Sequence, residues 1–107
     1  MSGGTAGPPV RILFLATVRP GDEDRFLKAY DSIRDRVASA PGHLSEQLCQ
    51  NAKDPTEWLI TSEWASAEAY RGWAAQHRFA ELSDPITQTI SDRRHTQFVV
   101  RRSTDRP

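Results

Sequence analysis

The sequence predicts an α+β domain of the ferredoxin-like kind, β-α-β-β-α-β. Its four-stranded antiparallel sheet would carry two helices on one face and a second copy of the chain on the other. Three observations predict this. The 107 residues suffice for one domain and leave no room for a second. The apolar pattern changes period along the chain, from strand to helix and back, in the order of the split βαβ unit. Residues of the AVILMFWYC set make up 37% of the chain, a thin supply that fits a sheet whose second face is buried by a partner.

Residues 1–9 and 103–107 read as flexible tails, leaving a domain over residues 10–102. Val10 to Val18, VRILFLATV, is almost continuously apolar, as expected of a central strand covered on both faces. Pro20-Gly21 breaks it, and Asp22, Glu23 and Asp24 then favour a helix start through the dipole. Phe26, Tyr30, Ile33 and Val37 form one helical stripe, and Pro41-Gly42 ends the helix. His43 to Gln50 and Thr56 to Trp64 read as a hairpin around the turn-forming Asn51-Ala-Lys-Asp-Pro55. Ser66 is an N-cap candidate, and Tyr70, Trp73, Ala74 and His77 recur at helical spacing behind it. Pro85 suits the first turn of a short helix, Ile86 to Ile90, and His95 to Arg101 is expected as the last strand. Leu13, Leu15 and Val99 are candidates for the uncovered sheet face, which calls for sheet-to-sheet packing in a homodimer.

Composition excludes several classes of function. Fourteen Lys and Arg balance fourteen Asp and Glu, so the basic footprint of a nucleic-acid binder is missing. No apolar run approaches the ~18 residues of a membrane span. The first residues lack a basic and an apolar region, so a cytoplasmic location is expected. The single cysteine, Cys49, has no internal disulfide partner and is expected to be a small buried residue. No His, Cys or carboxylate spacing suggests a metal, and no Gly-rich phosphate loop suggests flavin or nicotinamide. No cofactor is therefore expected.

The candidate site residues cluster around the end of the third strand. By strand alternation, Trp58, Ile60, Ser62 and Trp64 share one face. Tyr70, Trp73 and His77 share one helical stripe. Both sets would serve as core. Yet Tyr, Trp and His carry polar tips that need partners when buried, and aromatic walls with a few polar tips suit a small-molecule pocket. His77 is the leading general-base candidate, because imidazole titrates near neutrality. His43, expected to be exposed, and His95 are alternatives.

Several of these residues also carry a resemblance. Pro20-Gly21-Asp22, Phe26, Pro41-Gly42, Glu63-Trp64, Ser66, Ala69 and Tyr70, in this order, are similar to the antibiotic biosynthesis monooxygenase family, as is His77-Arg78-Phe79. The resemblance covers nearly the whole domain and implies a dimeric α+β barrel. The family holds several activities, and the resemblance to one branch implies a cofactor-independent monooxygenase that oxidises a phenolic aromatic polyketide to a quinone with O2. Trp64 and Tyr70 match that branch's Trp and Tyr, while its Asn position falls on Ile60 and its Arg position near Asp84. Taken together, the residue patterns and the resemblance give expected catalytic roles to His77, Trp64 and Tyr70, and expected substrate contacts to Trp73, Phe14, Trp58 and Ser62. Against a haem-opening branch, Phe14 and Ser83 stand where an Asn and a His are needed. A polyketide cyclase of the same fold and a non-catalytic ligand-binding dimer are the competing expectations.

Overall fold

The computed structural model describes residues 7–77 and 85–104. Among the described residues these elements follow one another, besides the helical residues 85–87: β1 (Val10–Val18), α1 (Glu23–Ala38), β2 (His43–Gln50), β3 (Glu57–Trp64), α2 (Ala67–His77) and β4 (Ile90–Val99). The strands form one sheet in the order β2-β3-β1-β4, with every neighbour antiparallel. This is the predicted ferredoxin-like arrangement.

Register decides which side chains meet. Val10, Ile12, Phe14 and Ala16 stand opposite Trp64, Ser62, Ile60 and Trp58. These eight residues form the floor beneath the helices. β1 alternates strictly: Val10, Ile12, Phe14, Ala16 and Val18 are buried, whereas Arg11, Leu13, Leu15 and Thr17 are half-buried. Within one chain, then, only one face of the apolar run is covered. The other face carries Leu13, Leu15 and Leu59, with Arg11 donating to Glu63 Oε1 at 2.8 Å and Thr61 Oγ1 at 2.9 Å. Phe98 pairs with Arg11 on this face and is 55% exposed. Val99 does not belong there: it pairs with Val10, which turns it to the helix side.

The core has two lobes. In one, Phe26 and Trp58 meet at 5.3 Å between ring centroids, with Phe14, Ile86 and Ile90 around them. In the other, Val10, Ile12 and Val37 surround Trp64, Tyr70 and Trp73.

Four further expectations change. α1 ends at Ala38, where the Ser39 and Ala40 amides bond back to Asp35 and Val37. The expected helix from Ile86 is present but shorter: residues 85–87 are helical, and the chain then turns, with Thr89 N–H and Oγ1 donating to the Ile86 carbonyl at 3.0 and 2.7 Å. β4 begins at Ile90 rather than His95, because pairing with β1 extends through a bulge beside Val18. Cys49 is exposed, since its register opposite Leu59 turns it away from the helices on edge strand β2.

Candidate functional site

A tight junction positions the site. The Gly42 carbonyl accepts the Ala65 amide at 2.7 Å, and Ser66 Oγ caps α2 by accepting the Ala69 amide at 3.1 Å. Gly42 has φ +88°, and a Cβ added there would lie 2.6 Å from the Ala69 Cβ. Its lack of a side chain lets α2 start directly above the end of β3.

Trp64, the last residue of β3, is therefore next to Tyr70, in the second turn of α2. Their rings meet edge to face at 5.4 Å, and Trp73 adds centroid distances of 5.7 Å to Trp64 and 6.4 Å to Tyr70. Trp64 is 1% exposed and donates through Nε1 to Ser62 Oγ at 3.1 Å. His43 packs edge-on against Trp64 at 5.2 Å, and its side chain is 6% exposed. It is thus buried rather than exposed, because its register opposite Trp64 puts it on the helix side.

Trp64, Tyr70 and Trp73 wall a cavity of about 70 Å³ between the sheet and both helices, lined also by Ile33 and Val37 of α1. Two polar pairs line it. In one, the Tyr70 hydroxyl and His95 Nε2 are 2.9 Å apart, with the rings stacked at 26°. In the other, the Tyr30 hydroxyl donates to Glu46 Oε2 at 2.6 Å. Phe14, Tyr70 and His95 also line an adjoining open depression of about 420 Å³, with Arg93 beside them. The Tyr70–His95 pair thus lies where the inner cavity meets its mouth.

The electrostatics keep both phenols neutral. Burial raises the Tyr70 pKa. Burial, followed by the hydrogen bond to Glu46 and its charge, raises that of Tyr30 well above the usual phenol value. Each remains a hydrogen-bond donor at neutral pH. A neutral Tyr70 against an imidazole can relay a proton, the direction depending on the tautomer.

Of the expected site residues, Trp64, Tyr70, Trp73, Phe14 and Ser62 all line this cavity. Trp58 packs instead against Phe26 in the other lobe. His77 ends α2, and its side chain lies outside the described residues, as do Ser83 and Asp84. Ile60, at the family's Asn position, is part of the wall. The pairing of His95 with Tyr70, and the place of Tyr30 and Glu46 in the wall, went unread in the sequence. Strand alternation carried a signal for Glu46, which stands opposite Ser62 once the hairpin register is known. Among the described residues, no group of three or more His, Cys, Asp or Glu is placed to hold a metal ion. No described helix is long and apolar enough to cross a membrane.

A ferredoxin-like sheet with an aromatic-walled, phenol- and imidazole-lined cavity beneath its helices defines the class of this α+β domain. The chain belongs to the antibiotic biosynthesis monooxygenase family, whose model matches residues 9–84. Among curated proteins, it is 40% identical over 99 residues to the 42.8 kDa protein in the whiE locus of Streptomyces coelicolor, covering 92% of this chain and 25% of that one. It is 38% identical over 98 residues to polyketide synthase CurD of Streptomyces cyaneus, covering 92% of this chain and 26% of that one. The chain thus spans about a quarter of the length of these curated relatives. Among solved structures, it is similar to SnoaB, a cofactor-independent oxygenase from Streptomyces nogalater. The TM-score is 0.79 at 18% identity, over 91% of this chain and 97% of that one.

Proposed function

We propose that this domain is a cofactor-independent monooxygenase that converts a phenolic aromatic polyketide to a quinone with O2. It would act in the cytoplasm as a homodimer packed through the open sheet faces. The observation that carries the reading is the Tyr70–His95 pair, held at 2.9 Å at the mouth of an aromatic-walled cavity. The likeness to polyketide-associated relatives supports the substrate class.

The phenol lies largely in the open depression beside Phe14, Tyr70 and His95, with its leading edge directed past Tyr70 towards the inner cavity. The substrate hydroxyl donates to the Tyr70 oxygen as Tyr70 passes its own proton to His95 Nε2, so that His95 removes the proton through Tyr70. Arg93 at the mouth favours the phenolate. The phenolate passes one electron to O2. The resulting radical and superoxide combine at a ring carbon, and His95 returns the proton to the peroxide. Loss of water from the hydroperoxide leaves the quinone carbonyl, so one phenol and one O2 give one quinone and one water. The protein supplies deprotonation, orientation and exclusion of bulk water. His77 is the competing base.

The test is an oxygen electrode with hydroxylated naphthalenes and anthrones as probes. O2 uptake should match quinone formation, and His95→Ala should lower it by about 100-fold or more, the usual scale of a general base. Full activity in His95→Ala with loss in His77→Ala would return the base role to His77. Ring closure of a polyketide without O2 uptake would mark a cyclase. Ile60, an apolar residue at the family's Asn position, favours a second reading as a ligand-binding dimer. Saturable binding with no turnover would establish it.

A further inference from the structure

Glu46 has no part in the chemistry above, yet it lines the same cavity. Its side chain is 12% exposed, in a wall otherwise made largely of aromatic and aliphatic groups. Among the described residues, its one hydrogen bond comes from the Tyr30 hydroxyl, to Oε2. The other oxygen, Oε1, is 3.6 Å from His43 Nε2, too far for a good hydrogen bond. A carboxylate offers about four acceptor sites, so Glu46 retains acceptor capacity facing an apolar space. Tyr30 fixes the side chain, and a neutral Tyr30 cannot give way to a second anion there.

Position adds to the argument. Glu46 is on β2, one edge of the sheet, and His95 is on β4, the other edge. The two polar pairs thus face each other across the breadth of the sheet, roughly 14 Å between outer strand backbones at the usual strand spacing. Side chains reaching inward shorten that span to the length of a small fused-ring system. Glu46 is confined to the inner cavity, whereas Tyr70 and His95 also line the mouth. A flat ligand that enters through the mouth would bring its leading edge to Glu46 and its trailing edge to Tyr70–His95.

We propose that Glu46, oriented by Tyr30, accepts a hydrogen bond from a hydroxyl on the leading edge of the substrate. The site would therefore select fused-ring phenols carrying hydroxyls at opposite ends over those with a single hydroxyl. This rests on the reading of the cavity as an oxygenase site and deepens it by adding the substrate's second polar group.

The experiment measures anaerobic binding of 2-naphthol and 2,6-dihydroxynaphthalene by quenching of tryptophan fluorescence. Wild type should prefer the diol by about 10-fold or more, the scale of one hydrogen bond to a charged group. Glu46→Gln should bring the ratio of the two affinities close to one. Tyr30→Phe/Glu46→Leu removes both polar groups together and strands neither, so it guards against a folding defect and should abolish the preference equally. A structural role alone would shift both affinities and leave their ratio intact. An unchanged ratio in both variants, a wild-type ratio near one, or no saturable binding of either probe overturns the proposal. An aerobic arm separates this from the oxygenase reading. Diol preference lost in Glu46→Gln, with no O2 uptake in wild type, defeats only the oxygenase. O2 uptake with no diol preference defeats only the role of Glu46.

Discussion

Replacing Gly42 by Ala should destabilise the domain by about 3 kcal/mol, from two separable causes. The first is backbone strain: at φ +88°, an L-residue sits in the left-handed region at a cost of about 1–2 kcal/mol. The second is steric. The new Cβ would lie 2.6 Å from the Ala69 Cβ, so the first turn of α2 must lift from the β2 entry, an overpacking cost of about 1–3 kcal/mol. Ala69→Gly alone should cost about 1 kcal/mol through helix propensity. In the double variant the steric part vanishes and the strain remains. Its destabilisation should therefore fall short of the summed singles by about 1–3 kcal/mol. The assay is urea denaturation followed by circular dichroism at one fixed protein concentration, since any self-association makes stability concentration-dependent. Additivity within about 0.5 kcal/mol would refute the close approach. A Gly42→Ala cost below about 1 kcal/mol would refute both causes.

Tyr30 and Tyr70 have raised pKa values in the folded chain against an ordinary value of 10.0. Above that pH the unfolded chain releases protons the folded chain retains, so stability should be level below about pH 10 and fall as pH rises beyond it. Urea midpoints at increasing pH should show the fall, and Tyr30→Phe with Tyr70→Phe should flatten it; an unchanged slope would refute the assignment. Leu15→Lys, on the open sheet face, should convert a dimer to monomer in sedimentation at micromolar concentration, and a wild-type monomer would sink the dimer. Deleting the residues before Pro9 should leave the melting temperature unchanged, because Pro9 is where the β-ladder is closed, its carbonyl accepting the Val100 amide at 2.9 Å; a loss of several degrees would count against this.

What could be read from the sequence was what is local. Trp64, Tyr70 and Trp73 are joined by a two-residue link and a capped first turn, so strand alternation and helical spacing were enough to bring them together. The β2–β3 hairpin was similarly legible through its turn chemistry. His95 was harder, because its contact with Tyr70 depends on the register of β4 on β1, a pairing between distant segments. The start of β4, Ile-Ser-Asp-Arg-Arg, is polar and has no apolar alternation. It is a strand because β1 presents an edge to it. Glu46 and His43 were hidden for a related reason: each looks like a surface residue until the hairpin register turns it towards the helix side. Cys49 reversed that error, being small enough to read as core yet facing outward.

β1 is the central strand, yet it precedes both of its neighbours in the chain. During synthesis VRILFLATV leaves the ribosome long before the segment that supplies Ile60 for Phe14, and longer still before the one that supplies His95. Until then it is an apolar nine-residue strand with two open edges, of the kind that templates aggregation. Both pairings are distant in sequence, which also slows folding. Nascent or truncated chains that stop short of β4 leave one edge of β1 bare, so expression that keeps the last strand attached should matter more for soluble yield than anything done at the surface.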